Sequence, residues 1–237
     1  MSAASRRAAR PRRQAPDRRR GYPGVFVVLE GLDGAGTTTQ AERLSGALRA
    51  EGYRTFVTRE PSDGPVGTLI RQALTGRLGL PKTAGPLGPQ TLALLFAADR
   101  TDHLEAQVIP ALNRGDVVLC DRYVLSSLAY QGSSLPMEWV EGINGFAARP
   151  DLTFFLEIDV DVAAQRRVRR GGDAELYEDE LQQRRIAQQY LRAIERRERD
   201  ERILRVDGAR PISEVTDELL RVLRPFLAAA AEQTPRA

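Results

Sequence analysis

The tightest constraint on this chain is the stretch over residues 25–40, VFVVLEGLDGAGTTTQ. An apolar, β-branched run (Val25, Phe26, Val27, Val28, Leu29) breaks into three glycines and then into a hydroxyl-rich segment, which reads as buried strand, tight loop and helix. Gly31, Gly34 and Gly36 allow the backbone to take positive φ and turn its N–H groups inward. The helix that follows adds its N-terminal dipole, so a phosphate finds several donors at once. The spacing matches Gly-x-x-x-x-Gly-Lys-Ser/Thr at every position but one, because Thr37 stands where the lysine belongs. Gly31, Leu32, Asp33, Gly34, Ala35, Gly36, Thr37, Thr38 and Thr39 are therefore the candidates to hold a nucleotide's phosphates, with the Thr38 hydroxyl as a magnesium ligand. Losing one charge-assisted contact of about 1.5–3 kcal/mol slows phosphoryl transfer by about 10- to 150-fold if nothing replaces it. A glycine-rich turn without a ligand, or a site that binds nucleotide without turnover, are the competing readings of the same stretch.

At 237 residues with 42% hydrophobic content, the chain has enough apolar material for one α/β domain with a real core. No apolar run approaches the length of a membrane span, and Val25 to Leu29 is too short for a signal-peptide core, so no membrane contact and a cytoplasmic location are expected. The single cysteine, Cys120, follows Val117, Val118 and Leu119 and reads as an ordinary buried strand residue. The net charge of +3 is unevenly spread: residues 1–20 carry eight arginines against Asp17, or +7, which leaves −4 for the remainder. This Ala-, Pro- and Arg-rich stretch has no apolar period, so residues 1–22 are expected to be a disordered tail. A solvated extension without a partner is favoured over non-specific nucleic-acid contact.

Strand and helix signals alternate along the rest. A helix over 41–50 ends at Glu51-Gly52, and a strand over 53–58 delivers Arg59-Glu60-Pro61 at its C-terminal edge, where open α/β sheets bind ligands. A helix over 66–74 precedes the Gly/Pro-rich loop 76–89, which holds Lys82, the only lysine of the chain. One long helix is expected over 91–112; it carries Phe96 and Arg100 four apart on one face, where ring and guanidinium could hold a flat base, and His103, read as structural. The strand over 116–120 ends in Asp121-Arg122-Tyr123, and an acidic residue there is the second half of a phosphate-loop metal site or else a helix N-cap. Ser126, Ser127, Tyr130 and Gln131 follow and project toward the same cleft. A short helix over 136–147 places Trp139 in the core; a strand covers 151–159, a helix 160–170, a long charged helix 174–200, a strand 202–207 and an amphipathic helix 212–227. Arg166, Arg167, Arg169 and Arg170 form a basic run that reads as a solvated face or as a lid over ATP supplying the charge absent at Thr37.

Together, Glu30-Gly31-Leu32-Asp33-Gly34-Ala35-Gly36, Arg59-Glu60-Pro61, Leu95-Phe96-Ala97-Ala98-Asp99-Arg100, Asp121-Arg122-Tyr123 and Ala129-Tyr130-Gln131-Gly132 resemble thymidylate kinases, from about Val25 to Leu227. The resemblance implies a P-loop NTPase-type α/β three-layer sandwich with a five-stranded parallel sheet flanked by helices. It implies a nucleoside monophosphate kinase domain over 23–229 with a lid at about 165–180, and a flexible C-terminus over 230–237. It implies transfer of the ATP γ-phosphoryl to dTMP with Mg2+, in a homodimer. By the same resemblance Asp33 contacts the 3′-hydroxyl, Phe96 stacks on thymine, Arg100 reads a carbonyl of the base, and Ser127 and Gln131 approach its edge. Tyr130 crowds the 2′ position, while Arg59 and Arg122 hold the acceptor phosphate. Asp121 positions the metal, and the catalytic lid arginine is sought among Arg166, Arg169 and Arg170. Two alternatives stand beside this: a deoxynucleoside kinase using Glu60 as base, and a nucleotide-binding protein that has lost turnover with its loop lysine.

Overall fold

The computed structural model describes residues 22–76, 87–169 and 176–233. Strand β1 (Val25–Gly31) is buried along its whole length and leads through the glycine loop into α1 (Thr37–Ala50). Next come β2 (Thr55–Arg59), α2 (Pro65–Leu74), α3 (Pro89–His103), a π-helical turn (Leu104–Val108) and α4 (Ile109–Asn113). Then follow β3 (Val117–Asp121), α5 (Val124–Tyr130), a 3-10 turn (Gln131–Ser133) and α6 (Met137–Ile143). The chain closes with β4 (Leu152–Glu157), α7 (Val160–Arg169), α8 (Leu176–Arg197), β5 (Ile203–Asp207) and α9 (Ile212–Gln233).

The five strands form one parallel sheet in the order β2-β3-β1-β4-β5. Side chains alternate across it, and β1 shows the consequence. Phe26 and Val28 pack with Leu128 and Ile194 on the side of α5 and α8, whereas Val27 and Leu29 pack with Leu44, Leu48, Leu219 and Leu223 of α1 and α9. Each fully buried leucine contributes about 1.5–3 kcal/mol. The expected three-layer α/β sandwich is thus the observed one. The register sets Leu29 beside Asp121 and Asp121 beside Arg59, so the ends of β1, β3 and β2 open on one crevice.

Three local expectations are corrected. The helix expected over 91–112 is interrupted by the π turn at Leu104–Val108, next to Pro110, whose missing N–H cannot complete an α-helical ladder. Trp139 is 37% exposed instead of sitting in the core, because α6 is a short surface helix that turns Val140 inward. Helix α9 runs to Gln233, beyond the expected helix end at 227, with Pro225 inside it. The arginine-rich tail over 1–20, Lys82, Arg170 and residues 234–237 lie outside the described residues. No described helix is long and apolar enough to cross a membrane.

Candidate active site

The loop after β1 has the conformation its glycines require. Gly34 and Gly36 take φ of 97° and 96°, whereas Gly31, expected to do the same, ends strand β1 without a positive φ; Gly36 starts α1 without any side-chain cap, so the first N–H groups of that helix are left for an anion. A Cβ on Gly34 would come within 2.6 Å of the Ala163 carbonyl, which shows how closely α7 rests on the loop. Thr37 is buried at the first position of α1. The Thr38 hydroxyl donates to Asp121 Oδ2, while Asp121 Oδ1 is buried without a protein partner. A hydroxyl and a carboxylate oxygen in contact, with one buried lone-pair site to spare, suit a hard divalent cation.

Arg122 joins the two halves of the site. Its φ of 70° makes it the one non-glycine residue with positive φ among the described residues, and its amide donates to Leu29 O at 2.9 Å. The side chain then turns back to Asp33, with Nη2 2.7 Å from Oδ1, and its Nη1 reaches Ser126 Oγ and the Tyr190 hydroxyl, each at 3.2 Å. The guanidinium also lies 5.2 Å from the centre of the Tyr130 ring. Beneath it sits Glu30, fully buried, accepting bonds from Tyr123 N (2.9 Å), Ser126 N (3.2 Å) and Ser126 Oγ (2.6 Å). Tyr190, from α8, places its hydroxyl 3.1 Å from Gly31 O and 3.2 Å from Glu30 Oε2. Burial pushes the Glu30 carboxyl up, opposed by the Ser126 hydroxyl and by the charge of Arg122. Burial likewise pushes the phenol of Tyr130 and the thiol of Cys120 up, so Cys120 is the inert strand residue expected.

On the α3 side a cleft of about 720 Å³ opens, a size that suits a small ligand. Its walls include Asp33, Glu60, Phe96, Arg100, Arg122, Ser127, Tyr130 and Gln131, all named from sequence. At its floor Arg100 is 2% exposed, with Nη2 2.7 Å from Glu60, 3.0 Å from Ser127 Oγ and 3.1 Å from Tyr123 O; Nη1 bonds Asn144. His103 is buried between Thr58 Oγ1 (2.6 Å) and Glu60 Oε1 (3.3 Å), a structural role as expected. Asp99 accepts from Ser62 N (2.7 Å) and Ser62 Oγ (2.6 Å), tying the loop after β2 to α3. Gln131 Oε1 is buried without a partner at the cleft wall.

Arg59 is the exception among the substrate-side residues: its guanidinium is exposed and bonds Asp63, four residues along the chain, at 2.8 Å, outside the cleft lining. The lid arginines also divide. Arg166 donates to the carbonyls of Gly208 (2.8 Å) and Ala209 (3.1 Å), and it and Arg169 both line a second cleft of about 470 Å³ with Gly36, Thr39 and Arg210. Arg167 Nη1 reaches Asp33 O at 3.2 Å. Sequence reasoning did not place Tyr190, Leu181 or Arg185 at the site, though α8 brings all three there. The Leu181/Arg185 pair, four apart, was a helical-face signal present in the sequence.

A family model for thymidylate kinase matches residues 29–219. The chain belongs to the thymidylate kinase family. Similar proteins include the probable thymidylate kinase of Pyrococcus abyssi (strain GE5 / Orsay), 41% identical over 173 residues, which cover 73% of this chain and 83% of that protein. The probable thymidylate kinase of Pyrobaculum calidifontis (strain DSM 21063 / JCM 11548 / VA1) is 37% identical over 206 residues, covering 86% and 98%. The resemblance read from the motifs and the fold it implied are therefore borne out. The family match does not favour the deoxynucleoside-kinase alternative; Glu60, its candidate base, lines the cleft and is ion-paired with Arg100.

Proposed function

We propose that this thymidylate kinase family member transfers the γ-phosphoryl of ATP to the 5′-phosphate of dTMP, giving dTDP, across the junction between the glycine loop and the α3 cleft. The observation that carries this reading is the Arg122–Asp33 ion pair, which links the loop on the donor side to the wall of the acceptor cleft. An acceptor that is already a phosphate anion needs no general base; it needs cations that hold two anions in line. Arg122 faces both phosphates, and its pairs with Asp33, Ser126 and Tyr190 fix its orientation before substrate arrives. Asp33 orients the deoxyribose, Phe96 stacks on the base, Arg100 reads a carbonyl of it, Ser127 and Gln131 approach its edge, and Tyr130 fills the 2′ position. Arg59 joins the acceptor phosphate by exchanging Asp63 for it. Thr38 and Asp121 would hold the magnesium ion, which neutralises charge on the β and γ phosphates when bound. Arg166 and Arg169 border the donor side next to Gly36 and the turn at 208–211, and Arg170 continues the same run. A homodimer and a cytoplasmic location complete this reading.

The test is ATP-dependent product formation with magnesium, with dTMP and thymidine offered as separate acceptors. dTDP from dTMP and no dTMP from thymidine is the expected result. Phosphorylation of thymidine alone would overturn the reading, and so would unchanged nucleotides in both reactions.

A further inference from the structure

Resting on that reading, we propose that Arg185 of α8 holds the 2-carbonyl of the thymine base at the mouth of the acceptor cleft, as the third polar contact to the base edge. Thymine presents a carbonyl, an N–H and a second carbonyl in a row, so its complement is a donor, an acceptor and a donor. Two of these already stand in the cleft wall. Arg100 keeps its Nε buried without a partner among the described residues, and Gln131 keeps its Oε1 buried in the same condition. An orphaned donor and an orphaned acceptor in one cleft are what a carbonyl and its neighbouring N–H would satisfy. Arg100 lies at the cleft floor, 2% exposed, so it takes the carbonyl farthest from the sugar, the 4-carbonyl. The 2-carbonyl then lies past Gln131, next to the glycosidic bond and toward the mouth.

The polar side chains there differ in what they have left to donate. The Ser133 hydroxyl is committed to Tyr130 O at 2.7 Å, and the Ser134 hydroxyl to Gln131 O at 3.4 Å. Arg122 is turned to Asp33, Ser126 and Tyr190. Arg185 lines the same cleft, is exposed, and has no hydrogen bond or ion pair among the described residues. Helix α8 packs against the 3-10 turn Gln131–Ser133, and Gln189, one helical turn past Arg185, lines an adjoining cleft with Gly132. Arg185 therefore leaves α8 toward the segment that carries Gln131, one turn nearer to it along the helix than Gln182, the other free donor of α8 in the cleft lining. A guanidinium on a long stem, unpaired at the rim of a site whose floor is already fixed, fits a contact made only when the base is present. It supplies affinity for the acceptor and leaves the transfer step to Arg122.

The experiment measures Kd by calorimetry, KM, kcat and thermal midpoint for wild type, Arg185→Met, Arg185→Lys and Gln182→Ala, with dTMP, 2-thio-dTMP and 4-thio-dTMP as acceptors. Methionine keeps the length of the stem and removes every donor. Sulfur accepts hydrogen bonds weakly, so each thio analogue silences one carbonyl. For dTMP and 4-thio-dTMP, Arg185→Met is expected to raise Kd and KM by about 5- to 30-fold, the loss of one charge-assisted contact at an exposed rim. The kcat and the midpoint should stay near wild type, the pattern of lost ground-state binding. With 2-thio-dTMP the two proteins should bind alike. Arg185→Lys should retain part of the dTMP affinity, and Gln182→Ala should match wild type. Unchanged dTMP affinity in Arg185→Met makes Arg185 a solvated surface charge and overturns the proposal. So does a loss of equal size with 2-thio-dTMP, which puts the contact elsewhere on the nucleotide, a loss that disappears with 4-thio-dTMP, or one confined to Gln182→Ala. If the wild type binds dTMP without forming dTDP, the kinase reading fails and the Kd comparison still decides Arg185; if it binds no dTMP, both fall.

Discussion

Arg100 shows how a single side chain serves both stability and recognition. It is almost wholly buried, and its guanidinium faces Glu60, Ser127, Asn144 and the Tyr123 carbonyl. Arg100→Ala would leave the Glu60 carboxylate buried beside an uncharged space, so a loss of about 3–5 kcal/mol of stability is expected. Denaturant unfolding checks this, and a change below 1 kcal/mol would mean that water compensates Glu60. The KM for dTMP should rise in the same variant if it retains activity. Gly34 fails differently. Its left-handed backbone costs an alanine about 1–2 kcal/mol, and the new Cβ would strike the Ala163 carbonyl. Gly34→Ala should therefore push α7 off the loop and cut kcat by tenfold or more; the steady-state rate and nucleotide affinity report it.

Among elements, α8 is tied to the phosphate loop by one phenol. The Tyr190 hydroxyl lies within hydrogen-bond distance of Gly31 O, Glu30, Ser126 and Arg122, and its ring packs 5.2 Å from that of Phe155. Tyr190→Phe keeps the packing and strips this hub, so a stability loss of about 1–3 kcal/mol and a lower kcat are expected from thermal unfolding and steady-state assays. Glu30 provides a pH signature. Burial raises its carboxyl above the ordinary value of 4.5, so its contribution to stability is fully present below that pH and is lost as pH rises through the folded-state value. Glu30→Gln does not titrate. The stability gap between wild type and Glu30→Gln should therefore narrow as pH climbs from about 4.5; a gap that widens over that range would contradict the burial argument. The π turn at Leu104–Val108 begins after the cleft residues Phe96 and Arg100, so the break near Pro110 leaves the α3 residues of the cleft within regular α-helix.

At the scale of the whole molecule, the sheet order sets β3 between β2 and β1, so that the ends bearing Arg59, Asp121 and the glycine loop meet at one edge. The proposed homodimer also belongs to this scale. Helices α2 and α3 pack together and leave Leu69 and Leu94 exposed at 37% and 51%. Light scattering on the intact chain should give the mass of a dimer, and Leu94→Glu should shift it toward monomer if this surface is the interface. A monomer at micromolar concentration in the wild type would remove the dimer from the reading.

Local chemistry was enough to read the strand–loop–helix over 25–40, the sites at the strand ends and the cleft residues Phe96, Arg100, Tyr130 and Gln131 from sequence. Each depends on neighbours a few residues away: apolar β-branched runs make buried strands, glycines permit positive φ, and a four-residue spacing fixes a helix face. Short-range patterns do not carry distances between elements. Only the tertiary structure turned Arg59 toward Asp63, left Trp139 at the surface, brought Tyr190 from α8 beneath Arg122, and separated Arg166 on the 208–209 turn from Arg167 on the phosphate loop. Those outcomes follow from which helix packs on which strand end, and that is decided by burial over the entire sheet.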